Sequence, residues 1–251
     1  MLDFDLKIYE MKDVLATEDY NELSELVGDF KIDLNKIISS LGFLQWSKKI
    51  QDAMKNKHPE EFERIVTSNQ LTYEDFKLLA VINDEVGLNI SDRTLFHTDY
   101  DYFNFLLTHR DDELMSSRLI KLYDKAFRFI LEDLFKKEVI FKDVLFGHFN
   151  VYPKDSFIVN HTDGPTAHNR YFTILFFLNK GRKYEDGSLL RVYKENEVIE
   201  FIPDFNKIIL LDHMKYNYEH EVTKNLSDDV RYSLYTPFSI DDYNNRLKQD
   251  T

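Results

Sequence analysis

Cysteine is absent from this sequence of 251 residues, and glycine and proline are scarce, with 7 and 5 residues. Without cysteine the chain can form neither a disulfide framework nor a thiolate zinc site, and it has no cysteine nucleophile. Any bound metal ion would therefore need histidine and carboxylate ligands. The lack of cysteine also suits a reducing compartment, so we expect a cytoplasmic protein.

Long apolar runs and an excess of basic residues are missing as well. The longest apolar runs, residues 78–82 and 174–178, are far shorter than the about 20 residues that cross a bilayer. The first residues, MLDFDLKIYEMKD, lack the apolar core of a signal peptide. Acidic side chains outnumber basic ones by 45 to 32, which gives a net charge of −13. Because such a charge repels phosphate backbones, the sequence predicts neither a membrane nor a nucleic-acid partner.

The first part of the chain, residues 1 to about 140, has apolar side chains at the three- and four-residue spacing of helices. The longest predicted helix is residues 112–135. Helix starts are indicated by Thr72 with Asp75 three positions later, which is a capping-box pattern, and by Pro59, which suits a first helical turn. We expect residues 1–140 to form a helical support for the rest of the chain.

After about residue 142 the pattern changes to short segments rich in β-branched and aromatic residues, separated by turn residues such as Asp186-Gly187. So many strands in about a hundred residues are typical of a β-sandwich or barrel. With residues 141–251 as a β-rich core, the chain should be one compact α+β unit. The predicted strands are residues 144–152, 157–160, 171–179, 188–193, 197–201, 207–211, 216–222 and 230–238.

A possible metal site begins with His161 and Asp163 in the segment VNHTDGP. In extended backbone, residues two apart face the same side, so the imidazole and the carboxylate can bind one ion. His220, in a late strand, is the best candidate for the third ligand, because a closed sheet can place that strand beside the first. Two histidines and one carboxylate leave coordination positions open, as non-haem Fe(II) oxygenases require.

An anion site is indicated by Arg231, which lies eleven residues after His220. This distance lets the chain turn and return along the next strand, where Ser233 shares the face of Arg231. A guanidinium with a neighbouring hydroxyl suits the distal carboxylate of 2-oxoglutarate. Tyr152, on the strand before His161, could donate a further hydrogen bond.

With these motifs, about residues 146–238 resemble the prolyl 4-hydroxylase branch of the Fe(II)/2-oxoglutarate oxygenases, and within it the hypoxia-sensing prolyl hydroxylases. The order of the motifs agrees throughout, and their spacing nearly so. The resemblance depends on Tyr152-Pro153, His161-Thr162-Asp163, Arg170 and Thr173 before FFLN at 176–179, Asp186-Gly187 before LLRVY, FIPDFNKIILL at 201–211, His220-Glu221-Val222 and Arg231-Tyr232-Ser233.

The resemblance implies a double-stranded β-helix fold, that is, a jelly-roll or cupin-like barrel, with an N-terminal helical layer packed on it. It implies His161, Asp163 and His220 as iron ligands and Arg231 as the anchor of 2-oxoglutarate, with Thr173 as a further cofactor contact. Phe177 is a departure, because the hypoxia-sensing enzymes carry at its position a tyrosine that reaches 2-oxoglutarate.

The polar residues near the motifs are less well determined by the sequence. His168 and His213 could donate hydrogen bonds to the metal ligands, contact a substrate or simply be solvated, and we interpret them as solvated loop residues. Arg170 could bind a substrate carboxylate or form an ion pair at the rim, so Arg170 and His168 are the candidates for substrate contact. Arg231 itself could instead form a surface ion pair with Asp228 or Asp229.

Three functions are compatible with the sequence. The first is a dioxygenase that uses Fe(II), 2-oxoglutarate and dioxygen to hydroxylate an unactivated C–H bond of a prolyl residue or of a free amino-acid-like molecule, with release of succinate and CO2. The second is a zinc-dependent hydrolase with the same three ligands. The third is a non-catalytic barrel that serves as a binding module. Arg231 favours the first, because a zinc hydrolase has no use for a 2-oxoglutarate anchor. A homodimer is compatible with any of the three.

Overall fold

The computed structural model describes residues 6–31, 48–86, 94–97, 100–106, 117–136, 148–163, 171–213 and 218–239. Within these residues, the first half of the chain contains six helices and three strands, and the second half contains eight strands. The helices are α1 (Met11–Val14), α2 (Thr17–Asp29), α3 (Lys48–Lys57), α4 (Pro59–Ser68), α5 (Tyr73–Val86) and α6 (Arg118–Phe135). The strands are β1 (Leu6–Glu10), β2 (Thr94–His97), β3 (Tyr100–Leu106), β4 (His148–Tyr152), β5 (Ile158–Thr162), β6 (Tyr171–Phe177), β7 (Leu190–Lys194), β8 (Glu197–Phe201), β9 (Lys207–Asp212), β10 (Glu219–Val222) and β11 (Arg231–Ser239).

The helix starts that the sequence predicts are confirmed. The main-chain amide of Thr72 donates to Asp75, and the amide of Asp75 donates to the Thr72 hydroxyl, which is a complete capping box before α5. Pro59 occupies the first turn of α4. The long helix α6 ends at residue 135 as predicted and begins after Ser117, whose hydroxyl accepts from a main-chain amide three residues later. Residues 112–116 of the predicted helix lie outside the described part of the chain.

The first half of the chain is not purely helical, so that prediction was wrong in three places. Strand β1 pairs with β9, and β2 and β3 form a hairpin whose second strand pairs with β4. These strands depend on partners that are distant in the sequence, and helical periodicity in a local window cannot reveal such pairing. The division into a support region and a core at about residue 140 stays a prediction.

All eight strands predicted in the second half are present. Strand β8 has the predicted bounds, and each of the others is shifted at one end or at both. They join β1 and β3 in the order β1-β9-β6-β11-β4-β3-β5-β10-β7-β8, with β2 beside β3, and each pair is antiparallel. The connection between β3 and β5 is a single residue pair, Tyr100 with Ile158. The sheet is therefore almost divided at this point into a larger part and a four-stranded part, β5-β10-β7-β8.

The two faces of the larger part bury different apolar clusters, as the alternation of side chains in a strand requires. On β6, Phe172, Ile174 and Phe176 pack with the buried faces of the helices in the main core. Leu175 and Phe177 face the other way, into a smaller cluster that includes residues of β7 and β8. The four-stranded part therefore folds over the larger part, and the helices cover the opposite face. This confirms the mixed arrangement of helices and antiparallel strands.

None of the described helices is long and apolar enough to span a bilayer.

Candidate active site

His161 and His220 are brought together by the pairing of β5 with β10, in which they are direct partners. Their ring centroids are 4.3 Å apart. Asp163, which follows β5, places one carboxylate oxygen 3.7 Å from Nε2 of His161 and the other 3.7 Å from Nε2 of His220. One potential ligand atom from each residue lies within 4.8 Å of the other two, so the structure groups the three side chains that the sequence selected.

Each of the two histidine rings is oriented by its own backbone. Nδ1 of His161 is 2.9 Å from the carbonyl oxygen of Val159, and Nδ1 of His220 is 3.2 Å from that of Tyr218. In the tautomer that donates these bonds, the lone pair of Nε2 is free to bind a metal ion. Burial lowers the pKa of His220 to about 4, which keeps the ring neutral at neutral pH. Two imidazoles and a carboxylate are a donor set that fits Fe(II).

A third histidine, His213, lies beside this group, contrary to the interpretation that it is solvated. It follows β9 directly and is buried, with a side chain that is 1% exposed. Nε2 of His213 is 3.0 Å from the hydroxyl of Thr173 and 3.4 Å from Oδ2 of Asp163. The interpretation was wrong because β9 pairs with β6, which carries the end of β9 to the start of β6, next to Thr173. Burial lowers the pKa of His213 to about 4.

The Arg231 side chain is buried on the inner face of the larger part of the sheet, with 1% of its surface exposed. Its guanidinium carbon lies 4.2 Å from the ring centre of Tyr152 and 5.3 Å from that of Phe177. Among the described residues, Nε and Nη1 have no hydrogen-bond partner. Burial lowers the pKa of Arg231 to about 10. A buried cation with unpaired N–H groups is costly, which indicates that an anion completes the site.

One of the two alternative partners of Arg231 is engaged elsewhere. Asp228 forms an ion pair with Lys154 at 2.7 Å. The loop before Arg231 is closed by Asn225, whose side-chain amide donates to the carbonyl oxygen of Tyr152 and accepts from Arg182 at 2.8 Å. The long connection from β10 to β11 is therefore a hydrogen-bonded loop, and it delivers Arg231 to the position opposite Tyr152 in the ladder between β11 and β4.

The remaining predicted residues divide into two groups. Thr173 and Ser233 are buried on the inner face; Thr173 donates to Asp163 at 3.3 Å, and Ser233 is the ladder partner of both Asn150 and Phe177. His168 and Arg170 lie outside the described residues.

Sequence reasoning missed Asn150, which is buried on β4 two residues before Tyr152 and whose Oδ1 has no partner in the described part of the chain. Strand alternation was the signal that could have found it, because Asn150 shares the inner face with Tyr152. For His213 there was no comparable local signal.

Comparison with known proteins agrees with this site. The sequence profile described as the 2OG-Fe(II) oxygenase superfamily matches residues 147–238, the segment that runs from β4 to β11. No curated protein sequence matches the chain.

Solved structures that match the chain include a prolyl-4-hydroxylase from Pseudomonas putida, which is 19% identical, with a TM-score of 0.43 over 65% of this chain and 83% of that one. Another is a prolyl hydroxylase from Trichoplax adhaerens in complex with a hypoxia-inducible-factor peptide, which is 12% identical, with a TM-score of 0.45 over 94% of this chain and 98% of that one. A third is a viral collagen prolyl hydroxylase from Paramecium Bursaria Chlorella virus-1, which is 13% identical, with a TM-score of 0.39 over 68% of this chain and 92% of that one.

The profile match covers every strand that carries a candidate site residue, and the cofactors of the matched superfamily are Fe(II), 2-oxoglutarate and dioxygen. The segment that carries the candidate site, residues 147–238, therefore matches the 2OG-Fe(II) oxygenase superfamily.

Proposed function

We propose that this protein is an oxygenase that hydroxylates an unactivated C–H bond of a prolyl residue or of a free amino-acid-like molecule. One oxygen atom of dioxygen would enter the substrate, and the other would enter succinate as 2-oxoglutarate loses CO2. His161, Asp163 and His220 would hold Fe(II), and Arg231 would bind the distal carboxylate of 2-oxoglutarate. The bound iron would supply the oxidation chemistry, while the chain holds and orients the reactants.

The observation that carries this proposal is that one face of β6 contacts both the candidate metal ligands, at one end, and the guanidinium of Arg231, at the other. Thr173, at one end of that face, donates to Asp163, and Phe177, at the other end, contacts Arg231. Four residues of extended strand span about 13 Å. A five-carbon diacid that is chelated by a metal ion at one end and bound by an arginine side chain at the other suits such a separation.

The hypoxia-sensing prolyl hydroxylases have, at the position of Phe177, a tyrosine that reaches 2-oxoglutarate. The surroundings of Arg231 suggest which groups would replace its hydrogen bond in this chain. The Phe177 ring lies beside the guanidinium and has no hydroxyl, so the hydrogen bonds to the distal carboxylate would come from Arg231 and from the buried hydroxyls of Ser233 and Tyr152. Tyr152 packs against the guanidinium. Its own pKa is raised by burial, so it stays a neutral donor.

The two packed parts of the sheet support a double-stranded β-helix as the architecture, with the helices as a layer on its outer face. This is the inner space in which the proposed reaction would take place, screened from water by the cluster that includes Leu175 and Phe177. The choice between peptidyl proline and a free amino acid, the homodimer and the cytoplasmic location stay predictions.

The test is a screen of proline-containing peptides and free amino acids for substrate-stimulated release of succinate in the presence of Fe(II) and 2-oxoglutarate. We expect turnover with the wild-type chain and none with His161→Ala or His220→Ala. Both variants should melt at the wild-type temperature as apoproteins, because the fold depends on its apolar cores. His58→Ala is the matched control, since His58 precedes α4 and makes no cap hydrogen bond.

The zinc-hydrolase alternative makes the opposite prediction for the metal. It requires activity with Zn²⁺ that is independent of 2-oxoglutarate and insensitive to Arg231→Ala. Normal turnover in either histidine variant would show that the three side chains are not the metal ligands. Metal binding without any succinate release would favour the binding-module alternative.

A further inference from the structure

The side chain of Asp163 is held from behind by residues that the proposed function does not use as ligands. The hydroxyl of Thr173 donates to Oδ2 of Asp163 at 3.3 Å, and Nε2 of His213 lies 3.0 Å from that hydroxyl oxygen. A threonine hydroxyl has a single proton. If His213 donates from Nε2 to the hydroxyl oxygen, the hydroxyl proton is directed at Asp163. The three groups then form one chain of hydrogen bonds that ends at the carboxylate.

His213 does not have the position of a fourth ligand. The close group of potential ligand atoms consists of His161, Asp163 and His220, and His213 is not part of it. The ring centroid of His213 is 5.8 Å from that of His220, compared with 4.3 Å between His161 and His220. His213, which directly follows β9, places Nε2 at 3.4 Å from Oδ2 of Asp163, beside the hydroxyl of Thr173.

We propose, on the basis of the function proposed above, that His213 and Thr173 are positioning residues that fix the Asp163 carboxylate for metal binding. Donors that occupy Oδ2 favour coordination through a single oxygen. This matters because a carboxylate bound through both oxygens would fill a further coordination position that 2-oxoglutarate or dioxygen needs. It also reduces the motion of a side chain that lies just after β5 and would otherwise be held by one strand end alone.

Both residues are held by the fold and not by the metal ion. Thr173 is on β6 and is fully buried, and its ladder partner on β9 is Leu211, two residues before His213. The β6–β9 pair therefore brings donor and hydroxyl together before any ion is bound. Hydrogen-bond partners behind metal ligands of this kind typically contribute 10–100-fold in metal affinity.

The experiment measures Co²⁺ affinity and the visible absorption spectrum of the Co²⁺-loaded full chain, without dioxygen, alongside the melting temperature of each apoprotein. The variants are His213→Leu, which removes the donor but keeps an apolar filling, and His213→Gln, which restores an N–H donor. Thr173→Val removes the hydroxyl with little change of shape. His58→Leu is the matched control for loss of a histidine outside the site.

We expect His213→Leu and Thr173→Val each to weaken Co²⁺ binding about 10–100-fold and to change the Co²⁺ spectrum, because the carboxylate changes its mode of coordination. His213→Gln should recover affinity to within about threefold of wild type, a rescue that a purely structural role would not produce. The double variant should lose no more than either single variant, because both act through one chain of hydrogen bonds. If His213→Leu folds poorly, Thr173→Val still tests the same chain.

Wild-type Co²⁺ affinity and spectrum in both variants would overturn the inference, and so would fully additive losses in the double variant. Its failure is separable from failure of the proposed function. If the wild type binds Co²⁺ and His161→Ala does not, while His213→Leu and Thr173→Val bind normally, only the positioning role is wrong. If the wild type binds no Co²⁺, the metal site and the inference fail together.

Discussion

Replacing Arg231 with methionine should make the apoprotein more stable and at the same time weaken its binding of 2-oxoglutarate about 30-fold or more. The guanidinium is buried, and this burial lowers its pKa from the ordinary value to about 10. At pH 8 the side chain is charged in both the folded and the unfolded state, so the whole shift is an energetic cost of about 3 kcal/mol to the folded state. Loss of the contact with the Tyr152 ring offsets about 1–2 kcal/mol of this gain. We therefore expect a net increase of about 1–2 kcal/mol in the free energy of unfolding.

The same substitution should weaken the binding of 2-oxoglutarate although it stabilises the apoprotein. A carboxylate that loses its charged partner in a buried site costs about 2 kcal/mol or more, which corresponds to about a 30-fold or greater rise in the dissociation constant. Arg231→Ala should weaken 2-oxoglutarate binding in the same way. The cavity that the shorter alanine side chain leaves should cancel the stability gained by removing the buried charge.

Two measurements check this prediction: urea denaturation of the metal-free chain at pH 8, and calorimetric titration of the Fe²⁺-loaded chain with 2-oxoglutarate without dioxygen. Arg191→Met is the matched control, because Arg191 is on the outer face of β7 in ion pairs with Glu200 and Glu221. It should change stability by less than about 1 kcal/mol and leave 2-oxoglutarate binding unchanged. If Arg231→Met binds 2-oxoglutarate as the wild type does and loses stability, the guanidinium is a structural cation and the reasoning is refuted.

Three further substitutions test how the fold supports the site. Gly187→Ala should reduce the free energy of unfolding, measured in urea, by about 2–5 kcal/mol. Gly187 has φ +66°, and an added Cβ would be 2.2 Å from the carbonyl oxygen of Lys224. Wild-type stability of this variant would show that the turn can shift. Thr72→Val should cost about 0.5–2 kcal/mol in the same assay through loss of the cap with Asp75, and Thr72→Ser should restore it. Tyr123→Phe removes a buried hydroxyl that donates at 2.7 Å to a carbonyl of β6. We expect the free energy of unfolding to fall by about 1–2 kcal/mol. An unchanged melting temperature would show that this hydrogen bond does not stabilise the fold.

The strand half of the chain and the grouping of the candidate ligands could be predicted from the sequence. Alternation of side chains in a strand is a local property, so His161 and Asp163 had to share a side, and Arg231 had to share a face with Ser233. The helix starts could also be predicted, because a cap such as Thr72 with Asp75 is completed within one turn.

The tertiary structure decided which distant segments meet. Strand β1 was predicted as helix because its pairing partner, β9, is some two hundred residues away. His213 was interpreted as solvated, and only the pairing of β9 with β6 places it behind Asp163. The burial of Arg231 between Tyr152 and Phe177 also depends on three different strands.

One physical cause separates the features that can be predicted from the sequence from those that cannot. The sequence determined by itself the identity of each strand in the second half, the face on which each polar side chain lies and the chemistry that those side chains can perform, because these depend on bonds and spacings within a few residues. Strand order, register and burial decided which side chains surround Asp163 and how far Arg231 is removed from water. These features follow from hydrogen bonds and apolar contacts between segments that are far apart in the chain, so no local pattern contains them.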